Sequence, residues 1–112
     1  MKLSIVIPAY NEEKSLAKTV NDLIKVISKD IVDYEILIIN DNSKDDTIKV
    51  LEDLAKIHKC VRYETNNGPN GFGYAVRYGL ERFSGDCVAI MMADLSDSPE
   101  DLLRFYQLMK EK

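Results

Sequence analysis

Apolar residues recur along the chain with two alternating periods. Residues 3–8 form a short β-branched run, after which Leu16, Val20, Leu23, Ile24 and Ile27 fall at helical spacing, so the period changes from strand to helix across Ala9, Tyr10 and Asn11. Asn11 is expected to cap that helix, with Glu12 and Glu13 in its first turn, where carboxylates meet the positive end of the helix dipole. Residues 35–39 are almost continuously apolar, as in a strand covered on both faces of a parallel sheet. A polar turn over residues 40–47 then leads into a helix with Ile48, Leu51, Leu54 and Ala55 on one side, and Ser43, Asp45 and Asp46 stand where caps belong. Residues 60–64 read as a third strand, 66–73 as a glycine-rich connection, and 74–83 as a helix punctuated by Gly79. A fourth strand follows at residues 87–92. The last helix opens at Ser98-Pro99-Glu100-Asp101, with Ser98 as N-cap, Pro99 in the first turn and Asp101 at capping-box distance; Leu102, Leu103, Phe105, Tyr106 and Met109 give it an apolar face.

This alternation predicts an α/β fold: an open, mostly parallel, Rossmann-like sheet with right-handed crossovers and helices on both faces. Ligands of such sheets bind outside the carboxyl ends of the strands. The candidate site therefore falls on residues 8–12, 40–43, 66–73 and 92–97.

Composition narrows the class without changing this picture. The chain has 112 residues, 46% hydrophobic and 30% charged, which suits one globular domain with its own core. Fifteen Lys and Arg against 19 Asp and Glu give a net charge of -4 in a mixed-sign pattern, so nothing supports nucleic-acid binding. No apolar run approaches the roughly 18 residues of a membrane span, and Met1-Lys2-Leu3-Ser4-Ile5 leads straight into strand-like sequence, so a cytoplasmic chain is expected. Cys60 and Cys87 lie in or beside apolar runs, where reduced thiols act as small hydrophobes, and without a His/Cys cluster they make no zinc site.

Within the candidate loops, Asp45 and Asp46 fit helix capping, whereas Asp41 ends a buried strand, where a carboxylate can accept from a base or ribose. The loop Gly68-Pro69-Asn70-Gly71-Phe72-Gly73 precedes a helix, so it is either a phosphate cradle or a plain tight turn. Its partial dinucleotide fingerprint has Val76 at the third glycine and follows the third strand, and no P-loop occurs. Asp94, Ser96 and Asp97 offer hard oxygen donors of the kind that hold Mg²⁺ or Mn²⁺ together with substrate phosphates, Asp97 fitting better as the approach to the Ser98 cap. His58 suits the C-terminal end of a helix dipole, and Tyr74, Tyr78 and Tyr106 suit the core or its edge.

Residues 6–13 (Val-Ile-Pro-Ala-Tyr-Asn-Glu-Glu), 35–43 (Glu-Ile-Leu-Ile-Ile-Asn-Asp-Asn-Ser), the 67–73 loop and Ala93-Asp94-Leu95 occur together in an order that resembles the inverting glycosyltransferases of family 2, with the GT-A fold, and within them the dolichyl-phosphate mannose synthase-like branch. The resemblance covers nearly the whole chain. It implies that Pro8, Tyr10 and Glu12 lie along the nucleotide, that Ile39 and Asp41 border the base with Asp41 accepting from a ring N–H, and that Gly71 and Gly73 run past it. Ala93 and Asp94 match the last two positions of the family's Asp-x-Asp motif, so Asp94 would hold Mg²⁺ or Mn²⁺ against the diphosphate, with Ser96 as a further polar contact and the ion bound only with nucleotide. Met92 stands where the motif's first Asp is expected, and Asn40 replaces the first acid of the usual Asp-Asp pair.

The implied partners are a nucleoside-diphosphate sugar and an acceptor of the lipid-phosphate class, with the full-length enzyme at the cytoplasmic face of a membrane. In the family, the acceptor half carries the catalytic base and lies beyond the position of Lys112. Residues 1–112 are thus expected to be the nucleotide-sugar-binding part, inactive alone, with no catalytic residue assigned, and able to self-associate through the face that the acceptor half would cover. Two other readings stand beside it. A receiver-like signalling domain needs an acidic cluster after the first strand, where this chain has Pro8-Ala9-Tyr10, and a noncatalytic α/β interaction module needs only exposed sheet edges or helix faces.

Overall fold

A computed structural model describes residues 2–93 and 99–111. The elements run β1 (Leu3–Ala9), α1 (Leu16–Ile27), β2 (Tyr34–Asn40), α2 (Thr47–Ile57), β3 (Val61–Thr65), α3 (Phe72–Leu80), β4 (Cys87–Ile90) and α4 (Pro99–Lys110). The strands form one 4-stranded sheet in the order β3-β2-β1-β4, and every pairing is parallel.

Side chains of β1 alternate between two apolar layers, as the two-residue period of a strand requires. Leu3, Ile5, Ile7 and Ala9 join the larger core, with Leu16, Val20, Leu23 and Ile27 of α1, Leu51 and Leu54 of α2, and Leu102 and Tyr106 of α4. Val6 joins the smaller one, with Leu37 and Ile39 of β2 and Ala75 of α3. The strand order explains this division. The chain steps outward from β1 through β2 to β3 and then crosses back to β4 on the far side of β1. Right-handed connections in opposite directions place their helices on opposite faces, so α3 lies across the sheet from α1 and α2. Gly79 lets α3 lie close to the sheet, because a Cβ there would overlap the Cγ1 of Val6 and press on Ile39.

At the amino ends of the strands, Glu35 is buried beneath the α3–β4 connection. Its carboxylate accepts hydrogen bonds from Ser4 Oγ, from the Ser84 backbone N–H and from Arg62 Nε at 2.8 Å. Burial alone would raise the Glu35 pKa, but these donors outweigh it and hold the carboxyl down at about 2. Both cysteines are free thiols, pushed up by burial.

The element sequence agrees with the reading from periodicity, and the differences lie at the ends. Asn11 does not cap α1. Its φ is 52°, the helix begins only at Leu16 after Ser15, and Glu12 and Glu13 precede the helical first turn. Helix α3 starts at Phe72 instead of Tyr74, and β4 stops at Ile90. Tyr78 and Tyr106 do sit at or in the core, but Tyr74 is exposed. The Ser98 cap lies outside the described residues, as do Asp94, Ser96 and Asp97.

Candidate functional site

The loops at the carboxyl ends of the strands are tied to one another by polar contacts between residues far apart in sequence. The loop after β1 meets the loop after β2 through Asn11: its backbone N–H donates to Ser43 Oγ at 3.0 Å, and its Oδ1 accepts from the Lys44 backbone N–H at 2.8 Å. The Glu12 backbone N–H donates to Thr47 Oγ1 at 3.0 Å. Asp45 accepts from the N–H and hydroxyl of Thr47, the residue at which α2 begins two positions later. Desolvation of Asp45 is outweighed by these bonds, which keep its carboxyl below the ordinary aspartate range. Asn40 is buried and uses its amide on its own turn, accepting from the Ser43 N–H at 3.0 Å.

Asp41 is 5% exposed and sits at the junction of β2 with the glycine-rich loop. Its Oδ2 accepts from the Gly71 backbone N–H at 2.8 Å and its Oδ1 from Asn66 Nδ2 at 3.1 Å. Gly71 has a φ of 137°, a conformation that side chains other than hydrogen rarely adopt, and it leads into α3. Each carboxylate oxygen retains acceptor capacity after these bonds.

A cleft of about 250 Å³ opens beside Asp41, lined by Pro8, Ala9, Tyr10, Glu12, Phe72 and Met92 as well. A hollow of about 320 Å³ shares Tyr10, Asp41 and Phe72 and extends to Asn70 and Gly71. Tyr10 is 48% and Phe72 52% exposed, so two aromatic rings border a recess with a buried carboxylate. An aromatic pair offers faces on which a planar ring can stack, and the carboxylate can accept from a ring N–H. Beside this recess, Asn70, Gly71, Gly73, Tyr74 and Arg77 border a groove of about 420 Å³ that places the Arg77 side chain near the N-terminal end of α3.

Pro8, Tyr10, Glu12, Asp41 and Gly71 thus come together around one recess, with Gly73 on its adjoining groove. Ile39 does not reach it with its side chain, which is fully buried under α3. Ala93 lies apart, packed toward α1. Its carbonyl accepts from Thr19 Oγ1 at 2.9 Å and from Ser15 Oγ at 3.3 Å, which anchors the chain just before Asp94. Among the described residues no cluster of three or more His, Cys, Asp or Glu is placed to hold a metal ion. Phe72 and Asn66 were not singled out from sequence. Phe72 carried a signal, an aromatic side chain between two glycines in a predicted ligand loop; Asn66 carried none beyond its place at the end of a strand.

The protein-family model described as glycosyl transferase family 2 matches residues 4–112. The undecaprenyl-phosphate 4-deoxy-4-formamido-L-arabinose transferase of Proteus mirabilis (strain HI4320) is 32% identical over 114 residues, a match covering 98% of this chain and 34% of that protein. Residues 1–349 of S. aureus TarS, solved in complex with UDP, superpose with a TM-score of 0.80 at 24% identity, covering 99% of this chain and 32% of that one. The mannosyltransferase PcManGT of Pyrobaculum calidifontis, solved with GDP-Man and Mn²⁺, gives a TM-score of 0.73 at 20% identity, covering 89% and 30%. These structural neighbours have the GT-A fold, and the chain spans about a third of the length of the curated relatives it matches. With a family match over almost every residue and the GT-A arrangement of strands and loops, the chain belongs to glycosyl transferase family 2.

Proposed function

We propose that this chain binds a nucleoside-diphosphate sugar in the recess between Tyr10 and Phe72 and serves as the donor-binding part of an inverting glycosyltransferase of the dolichyl-phosphate mannose synthase-like branch. The observation that carries this reading is the Asp41 carboxylate, buried at the end of β2 yet bordering an aromatic-flanked recess. The base stacks between the rings and donates a ring N–H to Asp41, while Gly71 and Gly73 line the path of the ribose and diphosphate. Asp94 and Ser96 would hold Mg²⁺ or Mn²⁺. One carboxylate and one hydroxyl are hard donors of the right type but too few to fill an octahedral shell alone, so metal and nucleotide would bind together. When bound, the ion offsets negative charge on the departing diphosphate.

The acceptor class we propose is a polyprenyl phosphate, a choice supported by the undecaprenyl-phosphate transferase among the relatives. A full-length enzyme using it would work at the cytoplasmic face of a membrane. Among the described residues, no helix is long and apolar enough to cross one. In this reading, as the family resemblance implies, the base that activates the acceptor comes from outside residues 1–112, and these residues alone are expected to turn nothing over.

Calorimetry with UDP-glucose and GDP-mannose, with and without Mn²⁺, tests the reading. One of the two should bind, more tightly with Mn²⁺, and Asp41→Ala should weaken it by about 1–3 kcal/mol, the cost of leaving a buried donor unpaired. No heat from either compound would refute the site; robust transfer to a polyprenyl phosphate by this chain alone would refute the division of labour.

A further inference from the structure

Asn66 is as deeply buried as Asp41, and its side chain is the hub of the loop that follows β3. Its Nδ2 donates to Asp41 Oδ1 at 3.1 Å and to the Pro69 carbonyl at 3.0 Å, while its Oδ1 accepts from the Gly68 N–H at 3.1 Å. Its backbone N–H is bonded to the Asn40 carbonyl at 2.9 Å, which extends the β2–β3 pairing by one step. Both amide hydrogens and the amide oxygen are therefore used. The loop wraps around this one side chain, and Gly71 closes the circuit by donating to the other oxygen of Asp41.

We infer that Asn66 is a positioning residue for the donor nucleotide: it fixes the Asp41 carboxylate and the 68–71 loop in one mutual arrangement, so that both face the same recess. The inference rests on the nucleotide reading of that recess. A carboxylate flanked by two fixed donors cannot rotate freely, and its remaining lone pairs have a set direction before any ligand arrives. The ligand is spared the cost of ordering a glycine-bearing loop, which is how preorganisation raises affinity without adding a contact. Asp41 then has two partners of different kinds, the protein loop and the base, and removing Asn66 weakens the second by loosening the first. No substitute fills all three roles. Aspartate keeps the shape and the acceptor but loses both amide donors, and it puts a second carboxylate against Asp41, with Glu12 also lining the recess.

The test compares wild type, Asn66→Ala and Asn66→Asp by calorimetry with UDP-glucose and GDP-mannose between pH 5 and 8, and by amide hydrogen exchange at Gly68 and Gly71. These compounds have no phosphate group titrating in that range. In wild type the Gly71 amide should be protected and binding nearly independent of pH. Asn66→Ala should lose that protection and bind about tenfold more weakly. Asn66→Asp, nearly isosteric, should bind more than tenfold more weakly at pH 8 and regain most of the loss toward pH 5, where the paired carboxyls share a proton that restores the link. A role confined to general stability would not give that pH-dependent recovery. Wild-type affinity in folded Asn66→Ala, or a loss in Asn66→Asp that is the same at every pH, overturns this inference alone. Absence of binding by wild type overturns the nucleotide reading as well.

Discussion

Glu35 shows how one charged side chain can be buried on favourable terms. Its carboxylate receives bonds from a hydroxyl, a backbone N–H and a guanidinium, and its pKa falls from the ordinary 4.5 to about 2. The shift corresponds to a stabilisation on the order of 3 kcal/mol, fully present above pH 4.5 and lost as the pH falls through about 2. Glu35→Gln should lower the melting temperature at pH 7, and the gap from wild type should close as the pH approaches 2. A gap that stays constant in thermal melts across that range would show that ionisation of Glu35 contributes nothing. The position of Asp41 at the other end of β2, bordering the recess, was legible in sequence because a lone acid closing an apolar strand must lie at the strand's carboxyl end. Asn66 was not, since its role depends on two loop backbone positions and a carboxylate 25 residues away, and no local pattern encodes that.

Among the elements, α3 depends most on a single position. Gly79 faces Val6 and Ile39 from the last turn of the helix, where alanine would ordinarily be favoured by at most about 1 kcal/mol. Here the added methyl overlaps Val6, so Gly79→Ala should destabilise the protein by about 1–3 kcal/mol through overpacking, measurable as a lower urea midpoint with an unchanged slope. A neutral or stabilising result would mean that α3 can lift off the sheet at little cost, and the α3 N-terminus beside the recess would then be less well fixed. Helix and strand identities were legible because each helix buries one face with its own period, while β1 and β2, buried on both faces, are short and mostly apolar runs. Their starts were less so: Asn11 has the composition of a cap but a φ of 52°, held by Ser43 and Lys44 from the next loop. Likewise Phe72 enters α3 two residues earlier than spacing suggested, because Gly71 supplies the positive φ that ends the loop.

For the molecule as a whole, the faces of the sheet are well covered near β1 and less so at β4. That strand pairs only with β1 among the described strands. Ile90 is 41% exposed, and with Met91, Leu102 and Phe105 it lines a hollow of about 380 Å³ between β4 and α4. Leu108 and Met109 extend the exposed apolar surface along α4. An open sheet edge beside apolar surface favours association, so the mass in sedimentation should rise with concentration, and Phe105→Glu should reduce that rise. A monomer at every accessible concentration, with no binding of a dye that reports apolar surface, would refute it. Met91 and Tyr106 add little to this exposed surface, for both are buried. Apolar spacing placed Tyr106 in the right helix without showing that it turns inward, whereas Met91, expected in the fourth strand, lies just past its end at Ile90.

The central place of β1 also has a consequence in time. Every residue of this strand is buried in the finished sheet, yet its two neighbours lie far apart in sequence, Leu3 being beside Tyr34 on one side and Cys87 on the other. During synthesis, β2 can zip onto β1 early, but the second edge of β1 stays open until residue 87 has left the ribosome. Closing that contact spans most of the chain, which slows folding relative to a protein built from local pairings. One edge of β1 is therefore made early and protected late, so a newly made chain passes through an interval in which a strand destined for complete burial is a sticky edge for chaperones or other nascent chains to grip.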